Sequence, residues 1–134
     1  MSERLRILVV DDDPDIANTL ADGLEMAGHL TYAALDATSA LRLTEEFAPD
    51  VALLDIGLPD LNGFELASRL QARHGKRLVL VAVTAWGDDE HRARGAAAGF
   101  DAYLVKPVSL AQIQSVIRDL LAQRARNESS LSPH

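Results

Sequence analysis

The sequence predicts a doubly wound α/β domain, a five-stranded parallel sheet with five flanking helices. Short runs of continuous apolar, often β-branched residues alternate along the chain with segments whose apolar residues recur at helical spacing. Strands that lack a polar alternation belong in a sheet buried on both faces, as parallel sheets are. The length, 134 residues with 48% hydrophobic content, fits one compact domain and leaves little room for a second.

Arg6-Ile7-Leu8-Val9-Val10 is the first strand. Asp13 then stands as a helix cap with Pro14 in the first turn, where a missing N–H costs nothing. Ile16, Leu20, Leu24 and Ala27 keep helical spacing until Gly28 stops the helix. Leu30 to Ala34 is a weaker second strand, and Ala40, Leu43 and Phe47 mark a short helix ended by Pro49. Val51-Ala52-Leu53-Leu54 is a buried strand that terminates at Asp55. The stretch from Ile56 to Gly63 is rich in turn residues and reads as a loop. Phe64, Leu66, Ala67 and Leu70 make the third helix, closed near Gly75.

Leu78 to Val83 is the strongest strand, followed by a short helix rich in alanine and glycine, roughly Asp89 to Ala98. Ala102 to Val105 is the fifth strand. Ser109-Leu110-Ala111-Gln112 has the form of a capping box and opens a last helix with an apolar stripe of Ile113, Val116, Ile117, Leu120 and Leu121. The stripe stops near Arg124. The domain is therefore expected over residues 1–123, with 124–134 a polar, disordered tail.

Composition narrows the function. The chain has no cysteine, which removes disulfides and thiolate metal sites and fits a cytoplasmic setting. Leu5 to Val10 is too short for a signal peptide or a membrane span, so no membrane partner is expected. A formal net charge of −7 argues against direct contact with nucleic acid.

In a doubly wound sheet, ligands bind at the carboxyl ends of the strands. Those ends here carry Asp11-Asp12-Asp13, Asp55, Thr84 and Lys106-Pro107. Clustered carboxylates repel one another and need a cation, and an all-oxygen set suits Mg²⁺ with bound waters. A carboxylate can also attack phosphorus and hold an acyl phosphate. Phosphoryl transfer then needs in-line positioning and neutralisation of charge on the equatorial oxygens, a task that Mg²⁺, Lys106 and the Thr84 hydroxyl could share. Asp55 stands alone on its strand, without a fixed cationic partner, and is the expected acceptor.

Each of these residues has a plainer reading by itself. Asp11 to Asp15 could be a helix N-terminus favoured by the dipole, Lys106 a solvated lysine, and Thr84 an ordinary strand residue. Their joint placement on one rim overturns those readings, although Asp13 remains mainly a cap. His29, His74, His91 and His134 share no metal-ligand spacing and read as surface histidines.

Val9-Val10-Asp11-Asp12, Leu53-Leu54-Asp55, Leu58-Pro59-Asp60-Leu61-Asn62-Gly63, Val83-Thr84-Ala85 and Lys106-Pro107 resemble, in order and spacing, the signature set of response-regulator receiver domains. This CheY-like superfamily has the flavodoxin-like architecture, and the likeness covers roughly residues 5–122. It implies Mg²⁺-dependent transfer from a phosphohistidine donor, a sensor histidine kinase or histidine phosphotransfer protein, to Asp55. Asp12 and Asp55 would bind Mg²⁺ directly with the backbone carbonyl of Gly57, and Asp11 would act largely through water. Thr84 would contact the phosphoryl group and Lys106 would pair with one of its oxygens. Tyr103 would be an aromatic switch that turns inward on activation, and the bond before Pro107 would be cis.

Output is implied through the face of the fourth helix, fifth strand and fifth helix, onto a downstream protein. The chain is similar both to single-domain regulators and to receivers of hybrid histidine kinases. No effector domain is expected after residue 122. Such a domain is a signalling module, catalysing only its own phosphorylation and slow autodephosphorylation. Gly57 and the bulky Trp86 depart from the common pattern and bear on the lifetime of the phosphoryl group.

Three other functions share features with this pattern. A pseudo-receiver keeps the fold and works without phosphorylation, but the acidic, Thr and Lys positions are complete here. A haloacid-dehalogenase-like phosphatase places its nucleophile in an Asp-x-Asp pair after the first strand, whereas Gly57 stands two residues after Asp55. A flavodoxin-like electron carrier needs a Ser, Thr and Gly phosphate loop, and the loop after Val10 is carboxylate-rich.

Overall fold

A computed structural model describes residues 4–131. Five strands, β1 (Arg6–Val10), β2 (Leu30–Ala34), β3 (Val51–Leu54), β4 (Val79–Thr84) and β5 (Ala102–Val105), form one parallel sheet in the order β2-β1-β3-β4-β5. Five helices alternate with them: α1 (Pro14–Met26), α2 (Ala37–Phe47), α3 (Gly63–His74), α4 (Asp89–Ala98) and α5 (Leu110–Leu131). A 3₁₀ turn, Gly75–Arg77, leads into β4.

Alternation along the strands divides the core in two. Ile7, Val9, Leu53, Val81 and Val83 face Ala17 and Leu24 of α1 and Ile113 and Ile117 of α5. Leu8, Val10, Leu54, Leu80 and Ala82 face Ala40 of α2, Phe64, Leu66 and Leu70 of α3, and Ala98 of α4. Both faces are covered, which is why β1, β3 and β4 show no polar alternation.

Caps set the helix starts. Asp13 accepts from the Asp15 amide at 2.9 Å, and Asn62 accepts from that of Glu65 at 2.9 Å. Asp36, which the apolar pattern did not single out, accepts from Ser39 at 2.7 Å and starts α2 at Ala37. Ala48 takes a left-handed φ of 46° and ends α2 just before Pro49. The capping box closes reciprocally, with Ser109 N donating to Gln112 Oε1 at 2.9 Å and Gln112 N to Ser109 Oγ at 3.1 Å.

One expectation is corrected. The chain from Arg124 is not a disordered tail in the described residues: α5 continues to Leu131. The segment Gln123 to Glu128 has no apolar stripe, but Gln, Arg, Ala and Glu are good helix formers, and a helix already anchored by packing propagates cheaply. Arg124 also donates from Nη1 to the Arg77 carbonyl at 2.8 Å, fixing α5 near the amino ends of the strands. Residues 132–134 lie outside the described residues. Among those described, no helix is long and apolar enough to cross a membrane.

Candidate functional site

Register brings the acidic residues together. Val10 of β1 lies opposite Leu54 of β3, so Asp11 and Asp55 leave the sheet side by side. Asp55 N donates to the Val10 carbonyl at 2.9 Å and Asp11 N to that of Ala34 at 3.1 Å, which holds both strand ends to the rim. Asp12 follows on the same turn. Ligating oxygens of Asp11, Asp12 and Asp55 all lie within 4.8 Å of one another. This donor set is hard and anionic, as Mg²⁺ requires, and has no nitrogen or sulfur donor that would favour a softer metal.

Lys106 reaches this cluster from the far end of the sheet. Its amide donates to the Thr84 carbonyl at 2.8 Å, tying the ends of β4 and β5, and the Lys106–Pro107 bond is cis. Its Nζ lies 2.8 Å from Asp11 Oδ2 and 3.1 Å from Asp55 Oδ2. Asp55 therefore does have a cationic partner, contrary to the expectation from its isolation on β3. The long, flexible lysine stem spans the width of β4, a connection that strand-by-strand reading does not contain.

Electrostatics distinguish the two carboxylates. Asp11 is only 3% exposed, and burial raises its pKa despite hydrogen bonds from Lys106 and the Asp13 amide. Asp55 is half-buried, its Oδ1 accepting from the Ile56 amide at 2.7 Å and from Gly57 at 3.4 Å. Desolvation alone would lower the Lys106 pKa, but its hydrogen bond to Asp11 and the charge of Asp55 outweigh this and raise it. Lys106 is thus a fixed cation beside two carboxylates.

Thr84 is buried at the last position of β4, its Oγ1 receiving a long contact of 3.4 Å from the Trp86 amide. Gly57 is exposed, and a Cβ there would sit 3.8 Å from Trp86 Cη2, so the indole lies over this part of the loop. Tyr103 stands apart from the carboxylates. Its hydroxyl donates to the Trp86 carbonyl at 2.6 Å, Arg92 stacks on its ring at 5.5 Å, and its edge fills the space where a Cβ of Gly95 would be. Desolvation raises its pKa, so the hydroxyl remains a donor. Beside Lys106 a cleft of about 470 Å³ opens between Ile16 and Leu20 of α1 and Val83, Pro107 and Val108.

The histidines are less exposed than a surface reading allows. His29 Nδ1 accepts from the Leu5 amide at 3.1 Å, and His91 lies between the Trp86 and Phe64 rings while pairing with Asp88. His74 is half-buried, and His134 lies outside the described residues. Sequence reasoning also passed over Asp60, which accepts three hydrogen bonds from the start of α2. Its signals were a place in a turn-rich loop and in the Leu58-Pro59-Asp60-Leu61-Asn62-Gly63 motif, and neither names a partner.

Sheet order and the carboxylate–lysine rim together define a receiver-type signalling domain. The family profile described as "Response regulator receiver domain" matches residues 7–118. Transcriptional regulatory protein PrrA of Mycobacterium leprae is 38% identical over 127 residues, covering 95% of this chain and 54% of that protein. The DNA-binding dual master transcriptional regulator RpaA of a Synechocystis strain is 34% identical over 124 residues, or 90% of this chain and 51% of that protein. The CheY-like receiver domain protein of Methanospirillum hungatei superposes with a TM-score of 0.87 at 30% identity, covering 93% of this chain and 99% of that one. The chain belongs to the response regulator receiver domain family, which serves two-component signal transduction. It spans about half the length of the curated relatives it matches.

Proposed function

We propose that this domain accepts a phosphoryl group on Asp55 from a phosphohistidine donor and thereby switches a protein-binding surface. The observation that carries this reading is the placement of one ammonium, Lys106 Nζ, within hydrogen-bond distance of both Asp11 and Asp55 at a rim that also holds Asp12. A carboxylate oxygen of Asp55 attacks phosphorus, the O–P bond forms as the donor's P–N bond breaks, and the imidazole nitrogen keeps the electron pair and takes a proton. Lys106 turns from the Asp55 carboxylate to an oxygen of the new phosphoryl group, keeping its hydrogen bond to Asp11. Thr84, at the adjoining strand end, supplies a hydroxyl to another oxygen.

Asp11, Asp12, Asp55 and the Gly57 carbonyl would hold Mg²⁺, with Asp11 acting largely through water. The ion would supply neutralisation of charge on the phosphoryl oxygens. Tyr103 anchors the Trp86 carbonyl and is positioned to respond when the Thr84 loop moves. The donor is a sensor histidine kinase or histidine phosphotransfer protein, and the output face is α4, β5 and α5. With a net charge of −7, these residues do not themselves contact nucleic acid. The domain is a cytoplasmic signalling module whose chemistry is limited to its own phosphorylation and slow autodephosphorylation.

Intact-mass measurement after incubation with acetyl phosphate tests this. Wild type gains one phosphoryl group when Mg²⁺ is present, while Asp55→Asn gains none and keeps its far-ultraviolet spectrum. Undiminished labelling of Asp55→Asn would reassign the acceptor. A wild type that neither labels nor binds Mg²⁺ would make the domain a pseudo-receiver.

A further inference from the structure

The loop between β3 and α3, residues 55–62, carries the acceptor at one end and Gly57 two residues on. Besides an internal turn, in which Leu58 N donates to the Ile56 carbonyl at 3.0 Å, it is held at three places. At its start, the Ile56 and Gly57 amides point to Asp55 Oδ1. At its end, Gly63 N donates to the Ile56 carbonyl at 2.8 Å, and Asn62 caps α3. The third attachment is to a different element. Asp60 Oδ1 accepts from Ala37 N at 2.9 Å, and its Oδ2 accepts from Thr38 N at 2.9 Å and Thr38 Oγ1 at 2.7 Å.

Helix α2 leaves these donors for Asp60. Its own cap, Asp36, satisfies the Ser39 amide alone, and no intrahelical carbonyl is available to Ala37 or Thr38. An exposed aspartate would ordinarily be solvated and mobile. Here the Thr38 hydroxyl and the two amides hold its pKa down to about 2, so the carboxylate is charged under all ordinary conditions.

We propose that Asp60 is a positioning residue for the acceptor site: it straps the β3–α3 loop to the amino end of α2 and so keeps Asp55 and the Gly57 carbonyl in place. This rests on the roles given to Asp55 and Gly57 above. Apart from the long contact of the Gly57 amide with Asp55 Oδ1 and the turn bond from Leu58 N to the Ile56 carbonyl, the hydrogen bonds described for the segment from Gly57 to Leu61 are those of Asp60, which work together with burial of Leu58 to place it. By reciprocity, whatever displaces the start of α2 is felt at the acceptor loop.

Amide hydrogen exchange on the metal-free protein tests the strap, with wild type, Asp60→Ala, Asp60→Asn and Thr38→Val compared. Asp60→Ala is expected to quicken exchange at Ile56 and Gly57 by about fivefold, the factor that one ordinary hydrogen bond is worth, together with Ala37 and Thr38. Asp60→Asn, which keeps one acceptor oxygen, and Thr38→Val, which removes only the hydroxyl, should fall between. Faster exchange confined to Ala37–Ser39 would reduce Asp60 to a helix cap and overturn the proposal.

Calorimetric titration with Mg²⁺ reads the consequence. Asp60→Ala should weaken binding by about tenfold, the low end of what losing an outer partner of a metal site costs. Unchanged affinity in a folded Asp60→Ala would overturn the positioning role. Should wild type bind no Mg²⁺, the metal reading falls, and the exchange result at Ile56 and Gly57 alone decides the strap.

Discussion

Lys106 and Asp11 hold each other in a place neither would occupy alone. Asp11 is buried enough that its carboxylate is disfavoured, and the ammonium offsets part of that cost. Removing the lysine has two opposed effects. In metal-free protein, Lys106→Ala strands a buried charge and should lower stability by about 1–3 kcal/mol in chemical denaturation. At the cation site it removes a competitor, so calorimetry should show Mg²⁺ affinity at least as high as in wild type, even though phosphoryl-dependent switching fails. A loss of affinity like that of Asp12→Ala would place Lys106 among the groups that build the metal site. Asp60 gives the pH dependence at this scale. Its folded pKa, about 2, lies below the ordinary aspartate value, so its contribution is complete above about pH 4 and is lost as pH falls through the folded value. Acid unfolding of wild type between these limits should therefore be steeper than that of Asp60→Asn, and equal slopes would show that its three hydrogen bonds add nothing to the native state.

The start of the third helix lies against the backbone of Asp55. A Cβ on Gly63 would meet the Asp55 carbonyl oxygen at 2.5 Å and Ile56 Cα at 2.6 Å. Both are main-chain atoms with no rotamer to change, so Gly63→Ala must displace either α3 or the acceptor loop. The expected cost is about 1–3 kcal/mol in thermal or chemical unfolding, with slower acetyl-phosphate labelling of Asp55. A variant as stable and reactive as wild type would show that α3 slides without strain. Element existence was legible because apolar period and caps agreed at Asp13–Pro14 and Ser109–Gln112. Boundaries were less so. The start of α2 depends on Asp36 and Asp60 rather than on its apolar residues, and α5 outruns its stripe because helix propagation needs only favourable backbone formation once packing has nucleated it.

For the whole molecule, the order of the sheet decides which charges meet. β1 and β3 are neighbours although α1, β2 and α2 separate them in sequence, so Asp11, Asp12 and Asp55 share one rim. That much followed from naming the strand ends. The reach of Lys106 across β4 and the grip of Asp60 on α2 did not, because each joins groups far apart in sequence that look solvated in isolation. Crowding anions at one end costs folding free energy that a bound cation returns. Thermal unfolding should accordingly shift upward with Mg²⁺, by an amount equivalent to about 2.7 kcal/mol at a hundred times the dissociation constant. A melting temperature indifferent to Mg²⁺ would mean that no cation binds the native state.

Trp86 adds a practical consequence. It is the sole tryptophan of the chain, and its indole overlies Gly57 while its backbone carbonyl is held by Tyr103. The protein thus contains a single indole fluorophore, carried by the β4–α4 segment and lying over the loop that follows β3. Excited selectively, that indole gives a signal from one known position beside the rim, without label, mutation or partner.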